Sequence, residues 1–408
     1  MTSTKPQLTV LVGAGSSVAA GAPSTAGLTR AVVEGLRARE PYSCAASQFR
    51  DQVEAILAAA DDYYHPGAES GEANFEQLLD VFESGAALAV GWQAHTVSTT
   101  SESCLTRARP DLGDALTPSF FRECVHVVEQ TVLDAIIEAS RVDLEQPLLA
   151  GFRAWWRALG ERFDLTVGCL NYDTLIESAL DLGAANQGFV RIAGEGTWRL
   201  STDLSGPACG GHRLFHLHGS IHFGAREYGA DPNRFAYDAG FHELYWHPTP
   251  GAAYQTMWGQ SAPRSQSGRE LGGGRLLTGL HKADKTLTEP MASYYLEFCN
   301  QLVRSSRLLI AGYGFQDHHI NAALRRFVRA HGGRGRVAVV DYMAAPERDD
   351  LGTRADMQVF LQRFAADVVE IRQLRSSPQD LGGDRCRVYW KGLTDADPKS
   401  LASFLLAQ

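Results

Sequence analysis

The sequence predicts an α/β fold, a doubly wound, Rossmann-like parallel sheet with a large helical insertion. Three observations predict it. Short apolar runs alternate with helix-like stretches in the second half of the chain, as strand and crossover units require. The first apolar run, Leu8-Thr-Val-Leu-Val12, feeds directly into the glycine turn Gly13-Ala14-Gly15. Between these two regions the signals are almost wholly helical.

Taken in order, Leu8 to Val12 is β-branched and bounded by Gly13, the pattern of a strand buried on both faces. Phe49, Val53, Ile56 and Leu57 then recur at helical spacing, and Asn74 is placed to cap a helix carrying Phe75, Leu78, Leu79 and Phe82. Phe120, Cys124, Val127, Val128, Leu133, Ile136 and Ile137 mark a long helix, and the polar stretch around 95–115 reads as loop. Strand signals resume at Leu165 to Leu170, Leu214 to Leu217, Arg307 to Ala311 and Arg336 to Val340. Helical stretches lie at Thr174 to Leu182, Tyr294 to Arg304 and His318 to Ala330. Residues 248–290, rich in Gly, Ser and Pro, read as a long loop. A weak helix, a strand near Arg387 to Trp390 and a terminal helix capped at Asp397-Pro398 complete the chain. The expected organisation is a Rossmann-like domain from 1–35 and 160–345, a helical insertion at 36–159 and a C-terminal α/β extension at 346–408.

Composition narrows the function. In 408 residues, 38 Lys and Arg stand against 47 Asp and Glu, a net charge of −9. No global basic field exists to hold a phosphate backbone, so direct nucleic-acid binding by this chain alone is not expected. The 44% hydrophobic and 21% charged content is that of a folded protein. Cysteines 44, 104, 124, 169, 209, 299 and 386 form no C-x-x-C pair, which removes a zinc ribbon or dithiol motif and suits a reducing compartment. The apolar run at the N-terminus is too short for a signal-peptide core, and no run of ~18 apolar residues occurs. A soluble, cytoplasmic protein without a membrane partner is expected.

Four stretches, each at a predicted strand end, carry chemistry. In Gly13-Ala14-Gly15-Ser-Ser17, glycines allow backbone amides to approach a pyrophosphate, although the same residues suit a tight turn with no ligand. A P-loop's Lys-Ser/Thr is absent, so ATP hydrolysis is not expected. In Asn171-Tyr172-Asp173 the two polar side chains can hold a ribose, an amide or a water, or simply cap the next helix. His212, His216, His218 and His222 alternate as one strand face would, but Gly219-Ser220 ends the strand and no carboxylate or cysteine joins at ligand spacing. No metal is expected there, and His218 beside a glycine suits proton transfer. His242-Glu243 with His247 has its histidines five apart, which fails the metalloprotease helix pattern. The fourth stretch, Gly312-Tyr313-Gly-Phe-Gln-Asp317-His-His-Ile-Asn321, supplies a second glycine turn, and Asp341 after the next strand suits ribose hydroxyls or an ordinary loop.

In order and wording these stretches resemble the sirtuin family: Gly-Ala-Gly-x-Ser-x-x-x-Gly-x-Pro, Asn-x-Asp, His-Gly-Ser and a glycine-containing strand end. Asn171-Tyr172-Asp173 and the phrase from Gly312 to Asn321 look like the bacterial sirtuin-like branch of antiphage defence. The resemblance implies NAD as substrate, with Gly13, Ala14, Gly15 and Ser17 at the pyrophosphate. It implies Asn171 and Asp173 at the nicotinamide ribose, carboxamide and water, His218 as base, and Gly312, Tyr313 and Asp341 at the adenosine half. Departures matter too. Ser24-Thr25-Ala26 replaces the Asp-Phe-Arg that sirtuin deacylases carry, their four-cysteine zinc module is missing, and Leu170 stands where they place Gln. What remains implied is an NAD glycohydrolase of antiphage defence, gated by a partner. The alternatives are a sirtuin-type protein deacylase or ADP-ribosyltransferase, and a non-catalytic NAD or ADP-ribose sensor. By family analogy the partner is a HerA-type hexameric ATPase acting on a homo-oligomer.

Overall fold

The computed structural model describes residues 5–18, 20–42, 44–65, 72–94, 117–140, 147–204, 211–224, 244–257, 276, 278, 282, 286–342, 355–364, 377–381 and 384–407. The apolar run near the N-terminus forms strand β1 (Gln7–Val12) at the heart of a seven-stranded sheet. On either side lie β2 (Asp164–Cys169), which leads to β5 (Arg213–His216), and β8 (Arg307–Ala311), which leads to β9 (Arg336–Val340). β11 (Cys386–Tyr389) pairs parallel with β9, and β10 (Gln379–Leu381) closes that edge antiparallel. The spatial order β10-β11-β9-β8-β1-β2-β5 is that of a Rossmann sheet with an added antiparallel strand. Strand order reverses between β1 and β8, which opens a crevice at their C-terminal ends.

Both faces of the sheet are covered, which is why its strands read as continuous apolar runs. Leu11, Leu308, Ile310 and Val339 point to one side, onto helices Met291–Arg304 and His318–His331, while Val10, Val12, Leu309 and Ala338 point to the other, onto Pro147–Arg162 and Pro398–Leu406. The expected terminal cap is present, Asp397 accepting from the Ser400 N–H at 2.8 Å. The residues read as a C-terminal extension thus supply two strands of the main sheet and a helix on its face. Helix Pro147–Arg162, placed within the insertion by sequence, packs on the sheet through Trp156 and Leu159.

The helical region forms a core of its own from helices Thr25–Ala38, Ala46–Tyr64, Phe75–Ala94 and Pro118–Ser140, with Val32, Phe49, Val53, Leu79, Phe82 and Phe120 buried together. Asn74 caps the third of these, its Oδ1 accepting from the N–H groups of Glu76 and Gln77 at 3.0 and 3.1 Å.

Two features depart from expectation. A second sheet of four short antiparallel strands, β3 (Phe189–Arg191), β4 (Trp198–Leu200), β7 (Tyr245–Trp246) and β6 (Phe223–Gly224), follows β2. These strands are two or three residues long, too short to show a period. Within 248–290, Pro250–Met257 is helical rather than loop, Pro250 taking a first-turn position where its missing N–H costs nothing. The polar stretch at 95–115 lies outside the described residues, as do His242 and Glu243. Among the described residues, no helix is long and apolar enough to cross a membrane.

Candidate active site

The two glycine turns meet at the crevice. Gly15 donates to the Gly312 carbonyl at 3.0 Å, and Gly13 to Ala311 at 2.9 Å. A Cβ on Gly13 would lie 2.5 Å from the Gly312 oxygen, and one on Gly312, at φ +64°, 2.0 Å from the Ser16 nitrogen. Glycine is therefore required for backbone to pass backbone. This departs from expectation in one respect. The Gly13 and Gly15 amides are spent inside the protein, so a ligand here meets close-packed backbone rather than those two N–H groups. The helix that follows, Ala14–Val18, is a single turn.

Above the turns lies a cavity of about 760 Å³. Its lining includes Gly13, Ala14, Gly15, Ser17, Asn171, Asp173, His218, Gly312, Tyr313 and Asp341, every residue that the sequence singled out for the site. Residues more than 300 positions apart converge because β1, β2, β8 and β9 all end at this edge of the sheet.

Ser17, Asn171 and Asp173 form one connected unit. Asn171 Nδ2 donates to Ser17 Oγ at 2.7 Å, and the Ser17 hydroxyl serves Asp173. Asp173 Oδ1 also accepts from the Leu175 N–H at 3.1 Å, so the capping role and the site role coincide. Burial pushes the Asp173 carboxyl up to about 6, Glu177 adding to the rise, while the Leu175 and Ser17 hydrogen bonds oppose it. Asn171 Oδ1 is buried and has no hydrogen-bond partner among the described residues. A buried amide oxygen left unpaired beside a cavity is a prepared acceptor.

Behind Asn171 sits His216, fully buried, with Nε2 2.8 Å from Glu177 Oε1 and Nδ1 3.3 Å from the Asn171 carbonyl. Burial opposes its protonation, but the Glu177 charge prevails and its pKa lies well above the ordinary histidine value. The pair clamps the backbone that presents Asn171. The other histidines of the tract disperse: His212 Nδ1 accepts from the Leu165 N–H, and His222 bonds the His247 carbonyl.

His218 faces the cavity from beyond β5 and lies 3.2 Å, Nε2 to Nε2, from His319. Burial drives its pKa down to about 3, against the pull of Asp317 and with help from Lys282, so the ring is neutral near pH 7. With Asp317 the two histidines make a group whose ligand atoms lie within 4.8 Å of one another, a gathering that the sequence reading did not foresee. Lys282 spans from the helical region to this group, bonding Glu76 and Asp317 at 2.9 Å each.

The two residues that the resemblance assigns to an adenosine half, Asp341 and Tyr313, are placed unevenly. Asp341 borders the cavity and is buried, with Oδ1 accepting from the Tyr342 N–H. Tyr313 contributes its ring, but its hydroxyl is committed to Asp317 and Asn321 and so supports the loop. Sequence reasoning missed Glu76, Lys282, Lys391 and Thr394, which also line the cavity. No local pattern marks them, since they arrive from the helical region, the 248–290 segment and the turn after β11.

The chain matches no protein-family model, and no curated protein is significantly similar to it.

Proposed function

We propose that this protein is an NAD glycohydrolase, cleaving NAD to nicotinamide and ADP-ribose, as the resemblance to sirtuin-like antiphage proteins implies. The observation that carries the reading is convergence. Four separated stretches chosen from the sequence line one cavity at the switch point of a Rossmann-ordered sheet, where nucleotides bind by general rule. Its volume of about 760 Å³ suits a small-molecule ligand.

Cleavage of the nicotinamide–ribose bond passes through an oxocarbenium-like state, which calls for a held substrate and an oriented nucleophile more than a strong acid. Asn171 Oδ1, unpaired among the described residues, is available to accept from a ribose hydroxyl or the attacking water. Ser17 fixes the amide and the Asp173 carboxyl relative to each other. Neutral His218 keeps a ring nitrogen that accepts a proton as a weak base, its pKa standing at about 3. Uncontrolled NAD loss would kill the host, so the activity is proposed to be gated within a homo-oligomer by a partner, a HerA-type hexameric ATPase by analogy. Replacement of the deacylases' Asp-Phe-Arg by Ser24-Thr25-Ala26 favours hydrolysis over lysine deacylation.

The test follows nicotinamide and ADP-ribose release chromatographically, with the activating partner present, alongside thermal melting. Asn171→Ala and His218→Ala are expected to lose about 10²–10⁴-fold in turnover while keeping the wild-type melting temperature within a few degrees. Full cleavage by both variants overturns the assignment. Acetylated ADP-ribose from an acetyl-lysine peptide would instead identify a deacylase.

A further inference from the structure

We propose that His319 is the relay partner of His218, receiving through the His218 ring the proton that leaves the substrate hydroxyl. The proposal rests on the reading of His218 as base. The two Nε2 atoms lie 3.2 Å apart, a contact that two imidazoles sustain only when exactly one of them bears a proton there. Two lone pairs would repel, and two N–H groups would collide. The tautomers are thereby coupled.

Only one arrangement leaves His218 able to act. If His319 donated, His218 would carry its proton on Nδ1, and with Nε2 taken up by the contact it would have no free lone pair. If His218 donates its Nε2–H to His319 Nε2, Nδ1 is left unprotonated, and no described residue hydrogen-bonds it. A substrate O–H then breaks as an N–H forms at His218 Nδ1, the His218 Nε2–H bond breaks, and an N–H forms at His319 Nε2. His218 returns to neutrality and the positive charge resides on His319. There burial opposes the cation and holds the His319 pKa below the ordinary histidine value; Asp317 favours the cation and Lys282 opposes it. The His319 backbone is held by a 2.8 Å hydrogen bond from the Tyr295 hydroxyl to its carbonyl, at the start of its helix.

The same spacing would suit two imidazole ligands of a tetrahedral ion, whose nitrogens sit roughly 3.3 Å apart when each lies ~2.0–2.1 Å from the metal. Lys282 argues against this use. Its ammonium is 2.9 Å from Asp317 Oδ1, placing positive charge at the carboxylate that would complete the ligand set.

Three variants and one spectrum decide. His319→Ala is expected to lose on the order of 10²-fold in kcat with KM within about twofold, and added imidazole to restore part of the rate. His319→Gln keeps an acceptor for the His218 N–H but cannot take up a proton, and should be as slow without imidazole rescue. His319→Phe should likewise be slow and unrescued. ¹⁵N NMR of wild type should show His218 protonated at Nε2 and not at Nδ1, a readout independent of turnover. Wild-type rates in His319→Ala, a His218 proton on Nδ1, or stoichiometric zinc on the purified protein would each overturn the relay. If wild type does not cleave NAD while the spectrum is as expected, the reaction assigned above fails and the relay with it, but the histidine pairing stands.

Discussion

Asp173 tests whether the site is held at the expense of stability. Its carboxyl is fully buried and its pKa stands near 6, against 3.8 for an ordinary aspartate, with burial as the main cause and Glu177 adding to it. The folded state therefore holds the proton more tightly than the unfolded chain. Between pH 3.8 and about 6 the unfolded chain binds fewer protons, so stability falls as pH rises through that window. A gap of about 2 pH units corresponds to about 3 kcal/mol, fully developed above pH 7. Asp173→Asn removes the charge and keeps an oxygen for the Leu175 N–H. Equilibrium denaturation should show the variant more stable than wild type by up to about 3 kcal/mol at pH 7.5, the difference shrinking to about 1 kcal/mol at pH 4.5. A variant no more stable than wild type at pH 7.5, or a difference that ignores pH, would refute the reasoning.

Gly312→Ala combines a positive φ, worth about 1–2 kcal/mol, with a Cβ 2.0 Å from the Ser16 nitrogen, worth about 1–3 kcal/mol more. Denaturant melts should show a loss of roughly 2–5 kcal/mol, and an unchanged melt would mean that the turns do not pack as described. Lys282→Met leaves Glu76 and Asp317 without their shared cation, and a loss of about 1–3 kcal/mol is expected by the same measurement. No loss would show that the bridge is not formed in solution.

The main sheet was legible because parallel strands buried on both faces are written as unbroken apolar runs, and Arg307 to Ala311 and Arg336 to Val340 appear in the structure with those limits. Asn74 and Asp397 were legible because caps act within three residues. The second sheet was not, since Trp198 pairs with Trp246 across 48 residues of chain and neither neighbourhood carries a period. The cavity-lining residues at strand ends were recognisable from glycine turns and polar pairs. Lys282 and Glu76 were not, because their roles depend on tertiary contact across 206 residues. His216 was read as one of a row of four, but a buried carboxylate on the helix after Asp173, Glu177, sets its partner and its charge. Gly13 and Gly15 were read as allowing either ligand approach or a tight turn, and the packing of turn on turn already demands glycine.

Whether the cavity takes the dinucleotide is tested most directly by crystals of the Asn171→Ala variant, slowed in cleavage, grown with saturating NAD. Electron density is expected for NAD across the switch point, its nicotinamide ribose between the position of Asn171 and His218 and its adenosine half towards Gly312 and Asp341. Density for NAD at another place, or a cavity empty of it under saturation, would contradict the proposed function.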